Sequence, residues 1–202
     1  VCYPATLIVG DMIKALQSGK YDLDNTAVGI TQTGGQCRAS NYYPIIRKAL
    51  VDAGFSRVPV ISVSMSDSIR NHQPGFSLDY KSIAPIAFDA MLFGDSLSKM
   101  YHSSAVRTDN PDKALELRDK HLQQAKQHIL RKDRKALARQ LSQAVQDFNS
   151  ILPKQRIERP KVGIVGEIFL KFHPYANQNI INRLMQERIE VIPPQLTPFM
   201  TQ

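Results

Sequence analysis

The chain has little cysteine, no long hydrophobic run and no recognisable nucleotide loop. Two cysteines in 202 residues could make one disulfide, but a chain this long that is 43% hydrophobic can bury a core of its own, as one large or two small domains, and has little need of a staple. No apolar stretch approaches the roughly 18 residues of a membrane span. The opening Val1-Cys2-Tyr3-Pro4 has neither the basic flank nor the apolar core of a signal peptide. A cytoplasmic location, with no membrane partner, is therefore expected. The chain does not begin with Met and opens on a cysteine motif, which suggests a segment of a longer protein. The stretch around Gly34 and Gly35 lacks the glycine-lysine-serine ending of a phosphate loop and the G-x-G-x-x-G spacing of a dinucleotide site.

Acidic residues are also in the minority. Lys and Arg number 26 against 18 Asp and Glu, a net charge of +8 and a pI near 9.6, which raises the question of an acidic partner. Much of the excess crowds one helical stretch, at Arg131, Lys132, Arg134, Lys135 and Arg139. No aromatic residues are interleaved there to stack on bases, so a solvated helix face, and no nucleic-acid partner, is expected. Coenzyme A, with its phosphates, stays open as an acidic ligand.

Patterning predicts alternating helices and short strands. Leu7, Ile8, Met12, Ile13 and Leu16 make a helical stripe over 4–18, with Pro4 suited to a first turn and Gly19 to a stop. Short β-branched runs at 26–31 and 58–63 flank a helical pattern from Ser40 to a Gly54 cap, a βαβ unit of a parallel sheet. Residues 64–79 read as a polar loop that includes His72. Helical spacing returns over 80–106. Asn110-Pro111-Asp112 then starts a long helical region to Ile151 whose apolar stripe changes phase, so two helices broken near Lys132-Asp133 are expected. A strand over 161–167, a loop carrying Lys171 and His173, a helix over 177–188 and a strand over 189–192 form a second, incomplete unit. The expected class is α/β, with Rossmann-like parallel-sheet units flanked by helices and a helical middle. The expected segments are 1–79, 80–155 and 156–202.

Ligands of such sheets gather at the carboxyl ends of strands, and Cys37 lies there, on the run Thr31-Gln32-Thr33-Gly34-Gly35-Gln36-Cys37-Arg38-Ala39-Ser40-Asn41-Tyr42. Gly34 and Gly35 allow the backbone to approach a ligand closely, and Arg38 would lower the pKa of a neighbouring thiol. Cys2 also precedes a helix, where unpaired N–H groups and the helix dipole favour a thiolate. The alternative for Cys37 is a small buried hydrophobe at a helix start. Spacing alone shows no metal site, because the two cysteines match no closed zinc pattern. His173, near Glu167 and Lys171, is a candidate acid, base or substrate anchor. Its alternative is packing on a helix end while Glu167 and Lys171 pair at the surface. His102, His121 and His128 lie in helical stretches, where packing or solvent exposure is the expected role.

The cysteine run, the opening Val1-Cys2-Tyr3-Pro4-Ala5 and the stretch from Gly163-Ile164-Val165-Gly166-Glu167 to Lys171-Phe172-His173-Pro174-Tyr175-Ala176-Asn177 resemble the 2-hydroxyacyl-CoA dehydratase activase-related proteins. Large chains of that family join an ATPase activator to regions similar to the dehydratase subunits. The resemblance implies low-potential, one-electron chemistry on a 2-hydroxyacyl-CoA thioester through a cysteine-bound iron–sulfur cluster. It implies Cys2 and Cys37 as ligands, with Gly34, Gly35, Gln36 and Arg38 around the cofactor. A four-iron cluster takes four thiolates, so this chain would hold an incomplete set. The implied partners are an ATPase activator domain or subunit, an acyl-CoA ligand and a second copy in a homodimer. The alternatives are a lyase acting on an acyl-CoA, with Lys171 and His173 near the substrate, and a redox-neutral module that docks another subunit.

Overall fold

The computed structural model describes residues 2–32, 38–64, 79–155 and 157–197, and it divides into two compact units, Val1–Leu78 and Asp79–Gln202. Helices dominate, and two small parallel sheets of two strands each are present among the described residues. The predicted mixture of helix and parallel strand is observed. No helix of the described residues is long and apolar enough to cross a membrane.

In the first unit, α1 (Tyr3–Gln17) has Pro4 as its second residue, whose fixed φ and missing N–H suit a first turn. Strand β1 (Val28–Gln32) pairs in parallel with β2 (Val60–Ser64), Val28 opposite Val60 and Gln32 opposite Ser64. The crossover contains α2 (Tyr42–Asp52), entered through a 3-10 turn at Arg38–Asn41. Gly54, at φ +84°, stops α2. The Phe55 N–H donates to the Leu50 carbonyl at 2.8 Å and the Gly54 N–H to that of Val51 at 3.1 Å, which together satisfy two orphan carbonyls of the last turn. Ala5, Leu16, Ile46, Leu50, Val58 and Val60 form the core. Along β1, Gly29 and Thr31 are exposed while Val28, Ile30 and Gln32 turn inward. The inward set therefore ends on an amide.

The second unit is built on three helices, α3 (Tyr80–Ala105), α4 (Pro111–Leu130) and α5 (Arg134–Ser150). Ile86, Phe93, Leu97, Leu117, Leu137 and Phe148 fill the space between them. Each helix starts on a side-chain cap: Asp79 accepts from the Ser82 N–H, Asn110 from Lys113 and Asp133 from Ala136. The expected break between α4 and α5 is present. Lys132 takes a left-handed φ of 54°, the Asp133 N–H donates to the His128 carbonyl at 2.9 Å, and Asp133 then caps the next helix. Arg131, Lys132, Lys135 and Arg139 are exposed. Arg134 grips the Asp89 carboxylate and Lys132 donates to the Ser82 hydroxyl.

The remaining β–α–β stretch packs in the same unit as the bundle. Strand β3 (Lys161–Gly163) pairs in parallel with β4 (Glu190–Ile192), and between them lie α6 (Ile168–Phe172) and α7 (Ile180–Gln186). Its attachment is largely through arginine. Arg107 Nη2 lies 2.5 Å from Glu190 Oε2, and its Nε donates to the Ile157 carbonyl. Arg159 donates to the Val106 carbonyl and Arg188 to that of Thr108, so cations meet the C-terminal end of α3, where the helix dipole favours them. Burial pushes the Glu190 carboxyl up, but the Arg107 hydrogen bond and charge outweigh it and leave the group below its ordinary value.

Three sequence expectations change. The strand predicted over 161–167 stops at Gly163, where its partner β4 also ends, at Ile192. The stretch expected as a loop around Lys171 contains α6. The helix expected from Asn177 starts at Ile180, since Gln178 and Asn179 take left-handed φ angles of 54° and 55°.

Inside the bundle His121 has 0% exposure. Its Nε2 donates to Asp147 Oδ2 at 3.1 Å, and its Nδ1 accepts from Gln140 Nε2 at 2.6 Å. Burial lowers its pKa more than Asp147 raises it. Burial, reinforced by the charge of Arg118, also lowers that of His102, whose Nδ1 donates to the Ser98 carbonyl at 2.7 Å. Both rings hold a proton less readily in the folded chain than in the unfolded one, so the unfolded state binds more protons as pH falls. Their contribution is complete above about pH 6.5 and is lost below it. Thermal melts from roughly pH 7.5 to 5.5, above the usual carboxylate range, should show a falling Tm; a flat or rising Tm would contradict this.

Candidate functional site

At the carboxyl end of β1 the sequence brings polar side chains inward. Gln32 is 5% exposed and is satisfied on both ends of its amide. The Ser62 hydroxyl, from β2, donates to Gln32 Oε1 at 2.5 Å, and Gln32 Nε2 donates to the Ser40 carbonyl at 2.7 Å. The amide thus joins the two strands to the turn that enters α2. Cys2 comes to the same helix from elsewhere in the sequence. It is the N-cap residue of α1, with an extended backbone and no side-chain hydrogen bond to the helix N–H groups. Its Sγ lies 3.3 Å from the Oη of Tyr42, the first residue of α2. Tyr42 is 8% exposed, so the sulfur meets a buried phenol. A thiolate at Cys2 would accept the Tyr42 O–H.

The site residues Gly34, Gly35, Gln36 and Cys37 lie outside the described residues, as does His72. Arg38 opens the 3-10 turn. Among the described residues no three His, Cys, Asp or Glu side chains gather as a metal-ligand group.

The second candidate set is only partly assembled. An open cavity of about 390 Å³ at the carboxyl end of β3 is bordered by Gly163, Val165, Gly166, Glu167, Lys171 and Asn177, among others. Glu167 and Lys171 share it, and His173 is not on its wall. Glu167 Oε2 accepts the Leu170 N–H at 2.9 Å, and the Lys171 N–H donates to the Glu167 carbonyl. His173 Nδ1 accepts the Ala176 N–H at 3.3 Å. The carboxylate therefore caps a turn of chain, and the imidazole tightens the next.

Three residues gain roles that the sequence reading passed over. Asn177 Nδ2 donates to the carbonyls of Leu170 and Lys171, at 3.2 and 3.1 Å, tying α6 to the chain that follows. Gln32 ties the end of β1 to the turn before α2, and Tyr42 meets the sulfur of Cys2. Gln32 could have been found as the polar member of an otherwise apolar inward face; nothing in the sequence pairs Tyr42 with Cys2. His121 and Asp147 form a histidine–carboxylate pair, but a fully buried ring cannot reach a substrate.

Comparison with models of protein families, with curated proteins and with solved structures finds no match to this chain. Its function is therefore argued from its own residues.

Replacing Asn177 with Ala removes both carbonyl contacts of α6. At about 0.5–1.5 kcal/mol for each hydrogen bond, amide hydrogen exchange over residues 168–177 should accelerate several-fold while the bundle helices are unaffected. Unchanged exchange in that stretch would show that Asn177 does not hold it.

Proposed function

We propose that this chain is the iron–sulfur cluster-binding, electron-transferring region of a protein related to the 2-hydroxyacyl-CoA dehydratase activases. Cys2 and Cys37 supply two of the cluster thiolates. The observation that carries this reading is the 3.3 Å contact between Cys2 Sγ and Tyr42 Oη. It brings the first cysteine motif to the entrance of the helix that the second motif leads into. The donor chemistry fits as half of a ligand set: two soft thiolates suit iron–sulfur ligation, and a four-iron cluster takes four. The other ligands come from elsewhere in a parent chain, from a partner subunit or from non-protein groups.

The bound cluster would supply a one-electron carrier of low potential. The residues of the chain hold and orient it. Cys2 sits at the N-terminal end of α1, where the dipole favours negative charge, and Tyr42 offers a hydroxyl to its sulfur. The resemblance implies Gly34, Gly35, Gln36 and Arg38 as the residues around the second ligand. The fold in this reading is a pair of Rossmann-like units in a cytoplasmic protein, because free thiolates persist in a reducing compartment. Its partners are an ATPase activator domain or subunit and an acyl-CoA-bearing dehydratase component, with a homodimer as one assembly.

A lyase acting directly on an acyl-CoA is the second reading, favoured by the cavity that Glu167 and Lys171 share. Anaerobic reconstitution of the chain with iron and sulfide, beside calorimetry with a CoA ester, separates the two. The cluster reading expects visible charge-transfer absorption that is lost or strongly reduced in Cys37→Ser and Cys2→Ser, with no CoA-ester heat. Absorption indifferent to both substitutions would overturn it, and CoA-ester binding weakened by Lys171→Ala would favour the lyase.

A further inference from the structure

Among the described residues of the second unit, the groove between α3 and α5 is open along most of its length. The two helices run in the same direction. Arg134, at the start of α5, grips Asp89 of α3, and Ser103 of α3 borders one cavity with Phe148 and Leu152 at the far end. An open cavity of about 460 Å³ is bordered by Asp89, Leu92, Lys135, Ala138 and Leu141. A second, of about 420 Å³, continues from Leu141 to Val145 and is bordered on α3 by Lys99 and Ser103. At about 1.5 Å per residue, α3 from Asp89 to Ser103 spans about 21 Å, or roughly four turns. The floor is apolar yet in water, with Leu92 39% and Val145 44% exposed. A contiguous apolar stripe of this kind marks an interaction surface, and two helices with such a stripe between them offer the seat that a further helix takes in a bundle.

The charge around the groove says what suits it. Both carboxylates on its border are engaged, Asp89 by Arg134 and Glu190 by Arg107. Lys135 on α5 and Lys99 on α3 are exposed and pair with no carboxylate among the described residues, and the same holds for Arg139, one turn beyond Lys135. The charges left over are therefore cations, one or more on each wall. A second copy of the chain in a two-fold contact would set these cations against its own, which disfavours self-association through this face. We infer that the α3–α5 groove docks an acidic amphipathic helix of a partner protein, its apolar stripe lying on Leu92, Ala138, Leu141 and Val145 and its flanking carboxylates meeting Lys99, Lys135 and Arg139. Apolar anchors on successive turns supply the affinity, and the charges set orientation and exclude wrong partners. The inference is independent of the cluster reading, because it uses no residue of the first unit.

The test titrates the whole chain into a fluorescein-labelled helical peptide of about 16 residues, with Leu along one face, Glu on both flanks and Ala elsewhere. Binding is followed by anisotropy and by amide hydrogen exchange. Saturable binding should slow exchange in α3 and α5 while α4 and the first unit are unchanged, and a twin peptide with Lys in place of Glu should bind about tenfold more weakly or worse. Ala138→Glu puts a carboxylate on the apolar floor and should weaken binding about tenfold or more. Lys135→Glu should weaken it roughly two- to tenfold, whereas Lys126→Glu, the same charge change on the exposed side of α4, should leave it within about twofold. All three positions are exposed, so thermal melts should stay near that of the original chain. No saturable binding, equal loss in Lys126→Glu or no preference for the Glu peptide would overturn the inference. A dimer of the original chain that Ala138→Glu dissociates would make a second copy the occupant, and binding to phosphatidylserine vesicles that the same substitution abolishes would make it a lipid surface; either result would overturn the inference too.

Discussion

The first unit depends on one buried amide. Gln32 sits where β1 stops contributing apolar side chains, and its two hydrogen bonds convert the end of a strand into a junction of β1, β2 and the turn that leads into α2. A sheet of two strands has little rigidity of its own, and α2 is held to it mainly by Ile46, Leu50 and Tyr42. Apolar packing tolerates small sliding movements of a helix on a sheet. A satisfied polar bridge with one donor and one acceptor fixed does not, which is why a buried amide specifies position as well as adding stability. The same edge receives Cys2 through Tyr42, so the N-terminal end of α1 and the N-terminal end of α2 share one neighbourhood.

The second unit uses charge for the same purpose on a larger scale. Its β–α–β stretch contributes few fully buried apolar residues, with Val191 the chief one at 1% exposure. Arg107, Arg159 and Arg188 carry its attachment by donating to carbonyls and to Glu190. Part of the basic excess of the chain is thus absorbed in folding. Lys120 likewise lies 2.9 Å from Asp147, which also accepts from buried His121. Of the net charge of +8, Arg159 and Arg188 are spent on carbonyls within the fold, while pairs such as Lys120–Asp147 already cancel within that sum.

Much of the secondary structure was legible because local chemistry and tertiary packing agree. The apolar stripe of α1, the Asn110-Pro111 start of α4, the Gly54 stop of α2 and the break at Lys132-Asp133 each rest on a local rule that the packed structure does not override. Where the reading slipped, strand pairing or backbone conformation decides. β3 ends where the short partner strand β4 ends, and left-handed Gln178 and Asn179 delay α7. Apolar content alone does not announce either. The site was less legible. Cysteines and glycines named the region, yet the partnership of Cys2 with Tyr42 joins residues 40 apart in sequence, and His173 and Lys171, near neighbours in sequence, face different surroundings.

In the proposed function, Cys37 lies beside Cys2 at the edge of the first unit where Tyr42 meets the Cys2 sulfur. Paramagnetic relaxation measures this directly and needs no metal. A nitroxide on Cys37, in a Cys2→Ser background, should strongly broaden the backbone amide signals of Tyr3, Ala5 and Thr6 at the start of α1 and leave those of Ala15 to Gln17 at its far end much sharper. Equal, weak broadening along the whole helix would place Cys37 away from Cys2 and contradict the account.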